Sequence, residues 1–185
     1  MKRLAIVMAG IGIFGAAVVA SPIIYTESGQ VSGTLGATTL TNAAFTFVFT
    51  GDTANITGSG VLLNIPTSNS ITIGASSGSF TTAVNVGVNT GSGIIGFTDL
   101  AKSNGITFTS AGAVGYNLAT PISVTASTPF FDQGSLGTSL GTFTITSALN
   151  LSFTAITGVP EPASLTFVGA GLLGLMSLLL LRKRA

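Results

Sequence analysis

Short runs in which apolar and polar residues alternate recur along the middle of the chain. They lie at residues 45–50, 71–73, 84–88, 143–146 and 149–153. A period of two places every second side chain on the same face of a strand, so each run has an apolar face and a face made mostly of Thr, Ser, Asn or Gly. Because no stretch keeps a helical period, the runs predict half-buried antiparallel strands.

Clusters of Gly, Ser, Thr and Asn separate these runs and predict turns. They include residues 57–60, 76–78 and 90–93. Turn signals at this spacing are typical of β-sandwiches and barrels. We therefore expect residues 21–158 to form one all-β domain, an antiparallel β-sandwich that is jelly-roll-like or barrel-like.

The few charged residues are unevenly distributed. Residues 21–158 hold Lys102 against Glu27, Asp52, Asp99 and Asp132, which leaves this part of the chain with a net charge of −3. Nucleic-acid binding is disfavoured, because neutralising phosphates needs clustered Lys and Arg. The shortage of charge also leaves edge strands without the residues that normally discourage pairing between chains, which favours self-association.

The chain contains no His, Cys or Trp, and this limits its chemistry. The usual zinc ligands and histidine-dependent catalysis are missing, so the GxSxG pattern at residues 74–78 is interpreted as a turn. We expect no enzymatic activity, no metal and no cofactor. The enzymatic alternative is a hydrolase that uses Asp52, Asp99 or Asp132. Asp52 and Asp132 are otherwise interpreted as turn-forming side chains.

Aromatic residues are the other candidates for function, since sugar recognition uses aromatic faces for stacking. Tyr25, Tyr116 and a set of Phe supply them in the domain. Most of the Phe occupy alternating positions that predict a core. Phe130 and Phe131, which follow Pro129, break the alternation and are interpreted as a loop plug that enters the sandwich.

The N-terminal residues 1–20 predict a secretory signal helix. A basic start, Lys2 and Arg3, precedes an uncharged apolar run, and small residues place cleavage between Ala20 and Ser21. An uncleaved membrane anchor is the alternative. The GxGxxG pattern at residues 10–15 does not indicate a dinucleotide site, because Pro22 leaves no room for the required βαβ unit.

The C-terminal residues 163–181 contain no charge and precede Arg182, Lys183 and Arg184. About 20 apolar residues suffice for a membrane-spanning helix, so this stretch predicts one. Because basic residues are retained on the cytoplasmic side, the tail is predicted to point inward and residues 21–158 to be exported.

The most specific pattern is Val159-Pro160-Glu161-Pro162, followed by the apolar stretch and the basic stop. In motif, order and distance to the terminus, residues 159–185 resemble the PEP-CTERM sorting domain of exported bacterial proteins. The resemblance implies that an exosortase, a membrane enzyme, reads Pro160, Glu161 and Pro162, cleaves the tail, and releases or transfers the product.

Proteins with this tail occur in bacteria with outer membranes and often accompany exopolysaccharide production. The middle of the chain also looks like the Thr- and Gly-rich β domains common among them. The resemblance thus implies an inner-membrane intermediate and then a non-enzymatic cell-surface or extracellular-matrix protein, associated with exopolysaccharide. The alternatives are a polysaccharide-binding module and a membrane protein anchored permanently by its tail.

Overall fold

The computed structural model describes residues 21–158, which lie mostly in antiparallel β-strands. The twelve strands of this part of the chain are β1 (Pro22–Leu35), β2 (Thr38–Asp52), β3 (Thr57–Ser59), β4 (Val61–Asn64), β5 (Ser68–Ile73), β6 (Ser76–Gly78), β7 (Val84–Asn89), β8 (Ile94–Asp99), β9 (Gly105–Thr109), β10 (Ile122–Ala126), β11 (Phe131–Thr138) and β12 (Gly141–Thr157). Short 3-10 turns occur at Thr53–Asn55 and Ala111–Ala113. The predicted all-β antiparallel class is confirmed.

Some predicted features lie outside the described residues. They are the signal helix at residues 1–20 with Ala20, the motif Val159, Pro160, Glu161 and Pro162, the predicted helix at residues 163–181, and Arg182, Lys183 and Arg184. Ser21 is described, and its backbone N–H donates to Thr53 Oγ1 at 3.2 Å. Within residues 21–158, no helix has the length and apolar character needed to cross a membrane.

The strands form a sheet that folds into two layers. Its order is β3-β4-β7-β8-β9-β11-β12-β1-β2-β5-β6, and β10 also pairs with β12. β11 links the layers, because residues 131–133 pair with β9 and residues 134–138 pair with β12. At the change of partner Gly134 has a φ of 105°, and a Cβ there would collide with Asn104. This corner therefore requires glycine.

The core lies between the two layers. Phe47 of β2 meets Phe97 of β8 edge to face, with ring centroids 5.2 Å apart, and Phe49 of β2 lies 5.4 Å from the same ring. These contacts make the arrangement sandwich-like. A barrel would need the ends of the sheet order to pair, and within residues 21–158 the order ends at β3 and β6 without closure.

The alternation predicted for residues 149–153 is interrupted by a β-bulge. Between β1 and β12 the register jumps from Ser28 opposite Ser152 to Gln30 opposite Leu149. Asn150, inside the bulge, has a φ of 52°. The bulge changes which side chains face inward, so Ala148 is buried and Leu149 is only half-buried.

The turn prediction is wrong in part for two of the three clusters. Residues 57–59 form β3 and residues 76–78 form β6, although they contain no large apolar side chain. Each is the outer strand of a short hairpin at an end of the sheet order, where backbone pairing needs no buried side chain. The cluster at residues 90–93 is a turn between β7 and β8, as predicted.

Both ends of the domain lie side by side. Ile23 near the start of β1 pairs with Thr157 at the end of β12, and the backbone N–H of Gly158 donates to the carbonyl of Pro22 at 2.7 Å. The chain segments that precede and follow the domain are therefore attached at one point of it.

Candidate functional site

A shallow apolar groove lies on the outer face of the layer that contains β7 and β8. One row of paired residues crosses its centre, and each member is the register partner of the next: Leu63 of β4, Gly87 of β7, Gly96 of β8, Thr107 of β9 and Phe131 of β11. Four steps between strands at about 4.8 Å each separate Leu63 from Phe131 by about 19 Å. Large side chains thus stand at both ends of the row, and glycines lie between them.

The floor of the groove is low because Gly87 and Gly96 have no side chains. Gly96 has a φ of 146°, and a Cβ there would strike the carbonyl oxygen of Ile106. At Gly87 the closest atom to a Cβ would be the tip of Leu63, at 3.0 Å from its Cδ2, and the carbonyl oxygen of Leu62 would lie at an ordinary contact distance of 3.5 Å. The groove holds about 290 Å³, near the lower end of the volumes of small-molecule sites, roughly 300–1,000 Å³.

Phe130 projects from the rim of this groove. Its side chain is 65% exposed, and Phe131 is half-buried on the groove wall. The loop plug predicted from Phe130 and Phe131 is therefore wrong. The backbone N–H of Phe130 donates to the carbonyl of Thr107 at 2.7 Å, which holds the residue against β9 on the surface.

A second, polar cleft shares Phe130 with the groove. Its lining includes the hydroxyl-bearing residues Thr109, Ser110, Thr125 and Thr128. An exposed aromatic ring therefore stands between a surface suited to an apolar ring face and a surface suited to hydrogen bonds. We call the groove, the cleft and Phe130 together the Phe130 surface.

Lys102 also lines the groove, from the loop that joins β8 to β9. The carboxylate of Asp99 organises this loop, since its oxygens accept from the backbone N–H groups of Ser103 and Asn104 and from both side chains, with the Asn104 Nδ2 contact at 2.6 Å. Burial alone would raise the pKa of Asp99, but the bonds from Asn104 and Ser103 together outweigh it and lower the pKa. The carboxylate of Asp99 therefore holds the loop in place.

The other predicted carboxylates are also bound to their own chain. Asp52 caps a 3-10 turn by accepting from the N–H of Ala54 at 2.8 Å, which confirms its turn-forming role. Asp132 is not a turn residue, because it accepts from the N–H of Ala148 at 2.6 Å, across the strand pair. Ala148 lies on β12 between the segment that pairs with β11 and the segment that pairs with β10, so the carboxylate of Asp132 takes the place of a strand partner there.

No carboxylate cluster is present in the described part of the chain, where no three acidic residues could hold a metal ion. None of the residues that line the groove or the cleft is acidic. The Phe130 surface can therefore bind through ring contact, hydroxyl groups and one ammonium group.

The predicted tyrosines serve the core. The Tyr25 hydroxyl donates to the carbonyl of Leu118 at 2.7 Å and accepts from Asn64 Nδ2 at 2.8 Å. Burial raises the pKa of Tyr25 to about 12, although the Asn64 bond acts in the opposite direction. Tyr116 is also buried, and its hydroxyl donates to the carbonyl of Thr120 at 2.9 Å. Neither ring is available for stacking on a ligand.

No protein-family model, curated protein or solved structure matches this chain.

Proposed function

We propose that the chain is an exported cell-surface or extracellular-matrix protein that reaches its site through its C-terminal tail. In this proposal a signal helix cleaved between Ala20 and Ser21 and a transmembrane helix at residues 163–181 flank the β-sandwich. The single observation that carries it is the order of three elements within residues 159–185: Pro160-Glu161-Pro162, an uncharged stretch, and the basic stop. An exosortase and the membrane are the partners.

The position of the domain ends supports this arrangement. Gly158, which directly precedes the motif, is hydrogen-bonded to Pro22, which directly follows the segment around the signal cleavage point. Both targeting segments would therefore attach at one point, and the rest of the sandwich would project away from the membrane. Pro160 and Pro162 disfavour the α conformation at the residues that precede them, which suits a segment read by a protease.

The sorting proposal predicts that Glu161→Ala blocks tail processing. In cells that contain an exosortase, we expect the wild-type protein to lose the tail and Glu161→Ala to stay full length in the inner membrane. Fractionation with mass measurement of the mature C-terminus checks this, and Ser164→Ala, just beyond the motif, is the control. If wild type and Glu161→Ala both remain full length in the inner membrane, the tail is a permanent anchor and the proposal fails.

The second candidate function is polysaccharide binding, and the exposed Phe130 ring favours it. A flat apolar ring beside hydroxyl groups provides stacking and hydrogen bonding together, which are the two contacts a sugar ring offers. In this reading the domain holds exopolysaccharide without altering it.

Polysaccharide binding predicts that Phe130→Ala weakens retention by the host strain's own exopolysaccharide about tenfold, equivalent to about 1.4 kcal/mol. Affinity electrophoresis of the full-length chain measures this. Ile156→Ala is the matched control, because Ile156 is 58% exposed on β12, away from the groove. Absence of retention for the wild type, or equal retention by Phe130→Ala, would rule out this function.

A further inference from the structure

We propose that the Phe130 surface binds an anionic polysaccharide, with a sugar ring against Phe130 and a carboxylate of the glycan on the ammonium group of Lys102. This inference rests on the polysaccharide-binding function proposed above and adds the charge of the ligand. The observations that carry it are the location of the domain's one basic side chain and the backbone geometry of the groove floor.

Lys102 is the only Lys or Arg of residues 21–158, and it lines the groove. Three acidic residues of the domain accept hydrogen bonds from their own chain: Asp99 from Ser103 in its loop, Asp132 from Ala148, and Asp52 from Ala54. Among the described residues, the ammonium group of Lys102 makes no hydrogen bond to the protein. Because every other charged side chain in residues 21–158 is acidic, this groove is the place where an anionic group meets a positive charge.

The length of the groove matches a chain of sugars. Phe130 is held at Thr107, and Lys102 lies beyond Gly105, in the loop at the other end of β9. The row of paired residues from Leu63 to Phe131 across the floor spans about 19 Å. The groove is therefore longer than a single sugar ring, and a polymer fills it better than a monosaccharide.

A peptide is a weaker candidate for the same groove. Peptides that add to a sheet pair with the free N–H and C=O groups of an edge strand. Here the floor is the face of β7, β8 and β9, each paired on both sides, so its backbone groups are already used. The glycine floor and the hydroxyl-lined cleft offer a flat surface and side-chain hydrogen bonds, as a glycan requires.

The test uses a pair of probes, hexagalacturonate and its fully methyl-esterified form, in which a neutral methyl ester replaces each carboxylate. Calorimetric titration of the full-length chain at low salt is expected to show the acid form binding about fivefold more tightly, the range of an exposed ion pair. In Lys102→Asn the preference for the acid form should vanish while binding of the ester stays unchanged. Asn suits this position because Lys102 has a φ of 59°, which Asn tolerates.

Two further variants separate a local from a general charge effect. Lys102→Arg should keep the preference. Thr39→Glu makes the same change in net charge as Lys102→Asn at an exposed site on β2, in the other layer, and should also keep it. Loss of the preference in Thr39→Glu would assign it to net charge and overturn the proposal.

The remaining outcomes distinguish this inference from the function on which it rests. Equal binding of acid and ester, both weakened by Phe130→Ala, would overturn the anionic ligand and leave polysaccharide binding intact. No binding of either probe or of the host exopolysaccharide would end both proposals. Binding of polyglutamate as tight as that of hexagalacturonate, and equally dependent on Lys102, would show a general anion site and overturn the glycan.

Discussion

Glu27→Gln is expected to stabilise the folded domain at neutral and alkaline pH and to flatten the dependence of its stability on pH. Glu27 is 0% exposed and faces the core of the sandwich from β1, with Phe47 and Phe153 as its register partners. Neither carboxyl oxygen has a hydrogen-bond partner, so an ionised carboxylate would be buried without compensation. Glutamine keeps the shape of the protonated acid and never ionises.

The sign of the pH effect follows from the direction of the shift. Burial raises the pKa of Glu27 well above its ordinary value of 4.5, and the backbone N–H of Phe97 opposes this rise without reaching hydrogen-bond geometry. Above pH 4.5 the unfolded chain therefore loses a proton that the folded chain keeps. The free energy of unfolding is therefore highest below the pKa of Glu27 in the unfolded chain. Above that pKa it falls by about 1.4 kcal/mol per pH unit, until the pKa of Glu27 in the folded chain is reached.

Denaturant unfolding of wild type and Glu27→Gln between about pH 4 and about pH 8 measures this difference. The free energies of unfolding of the two proteins should be nearly equal at about pH 4. At about pH 8 they should differ by more than about 2 kcal/mol, with Glu27→Gln the more stable. Asp99, with its lowered pKa, contributes stability that is lost as pH falls below 3.8, outside this window. A wild-type stability that rises from pH 5 to pH 8, or parallel curves for both proteins, would contradict a buried neutral Glu27.

The inner strands of the fold were predictable where alternating apolar residues face the core. The Phe run of β2 and the Val run of β7 became buried rows as expected. β1 was not predicted, although it lies between β2 and β12, because its inward positions include Glu27 and Gly29 among apolar residues. A carboxyl group in the core breaks the pattern on which such a prediction depends.

The Phe130 surface could not be predicted, because its residues come from six strands and from the loops between them. From the sequence alone, nothing distinguishes Gly87 and Gly96 from other strand or turn glycines. Only the strand register shows that they lie side by side. Phe130 was misassigned because two adjacent Phe after Pro129 were interpreted as a core plug, whereas the hydrogen bond to Thr107 and the register of β11 place both residues at the outer groove. Pro129 before them and the following polar Asp132 were the only local signals of a surface position.

The two glycines of the groove floor are predicted to respond very differently to the same added methyl group. Gly96→Ala should destabilise the domain by about 2–5 kcal/mol, because its φ of 146° is strained for any other residue and the Cβ would press on the backbone of Ile106 and Thr107. Gly87→Ala should cost less than about 1 kcal/mol, since the only tight contact of the Cβ is with the flexible end of Leu63. Urea midpoints of the two variants measure the contrast.

Gly87→Ala then separates folding from binding, because its methyl group stands on the groove floor beside Leu63. A variant that unfolds like the wild type but binds hexagalacturonate and the host exopolysaccharide less tightly would connect the floor with the ligand. Equal destabilisation by both substitutions would contradict the backbone geometry that distinguishes Gly96 from Gly87. Unchanged binding by a folded Gly87→Ala would move the ligand away from the floor, onto the hydroxyl-lined cleft on the other side of Phe130.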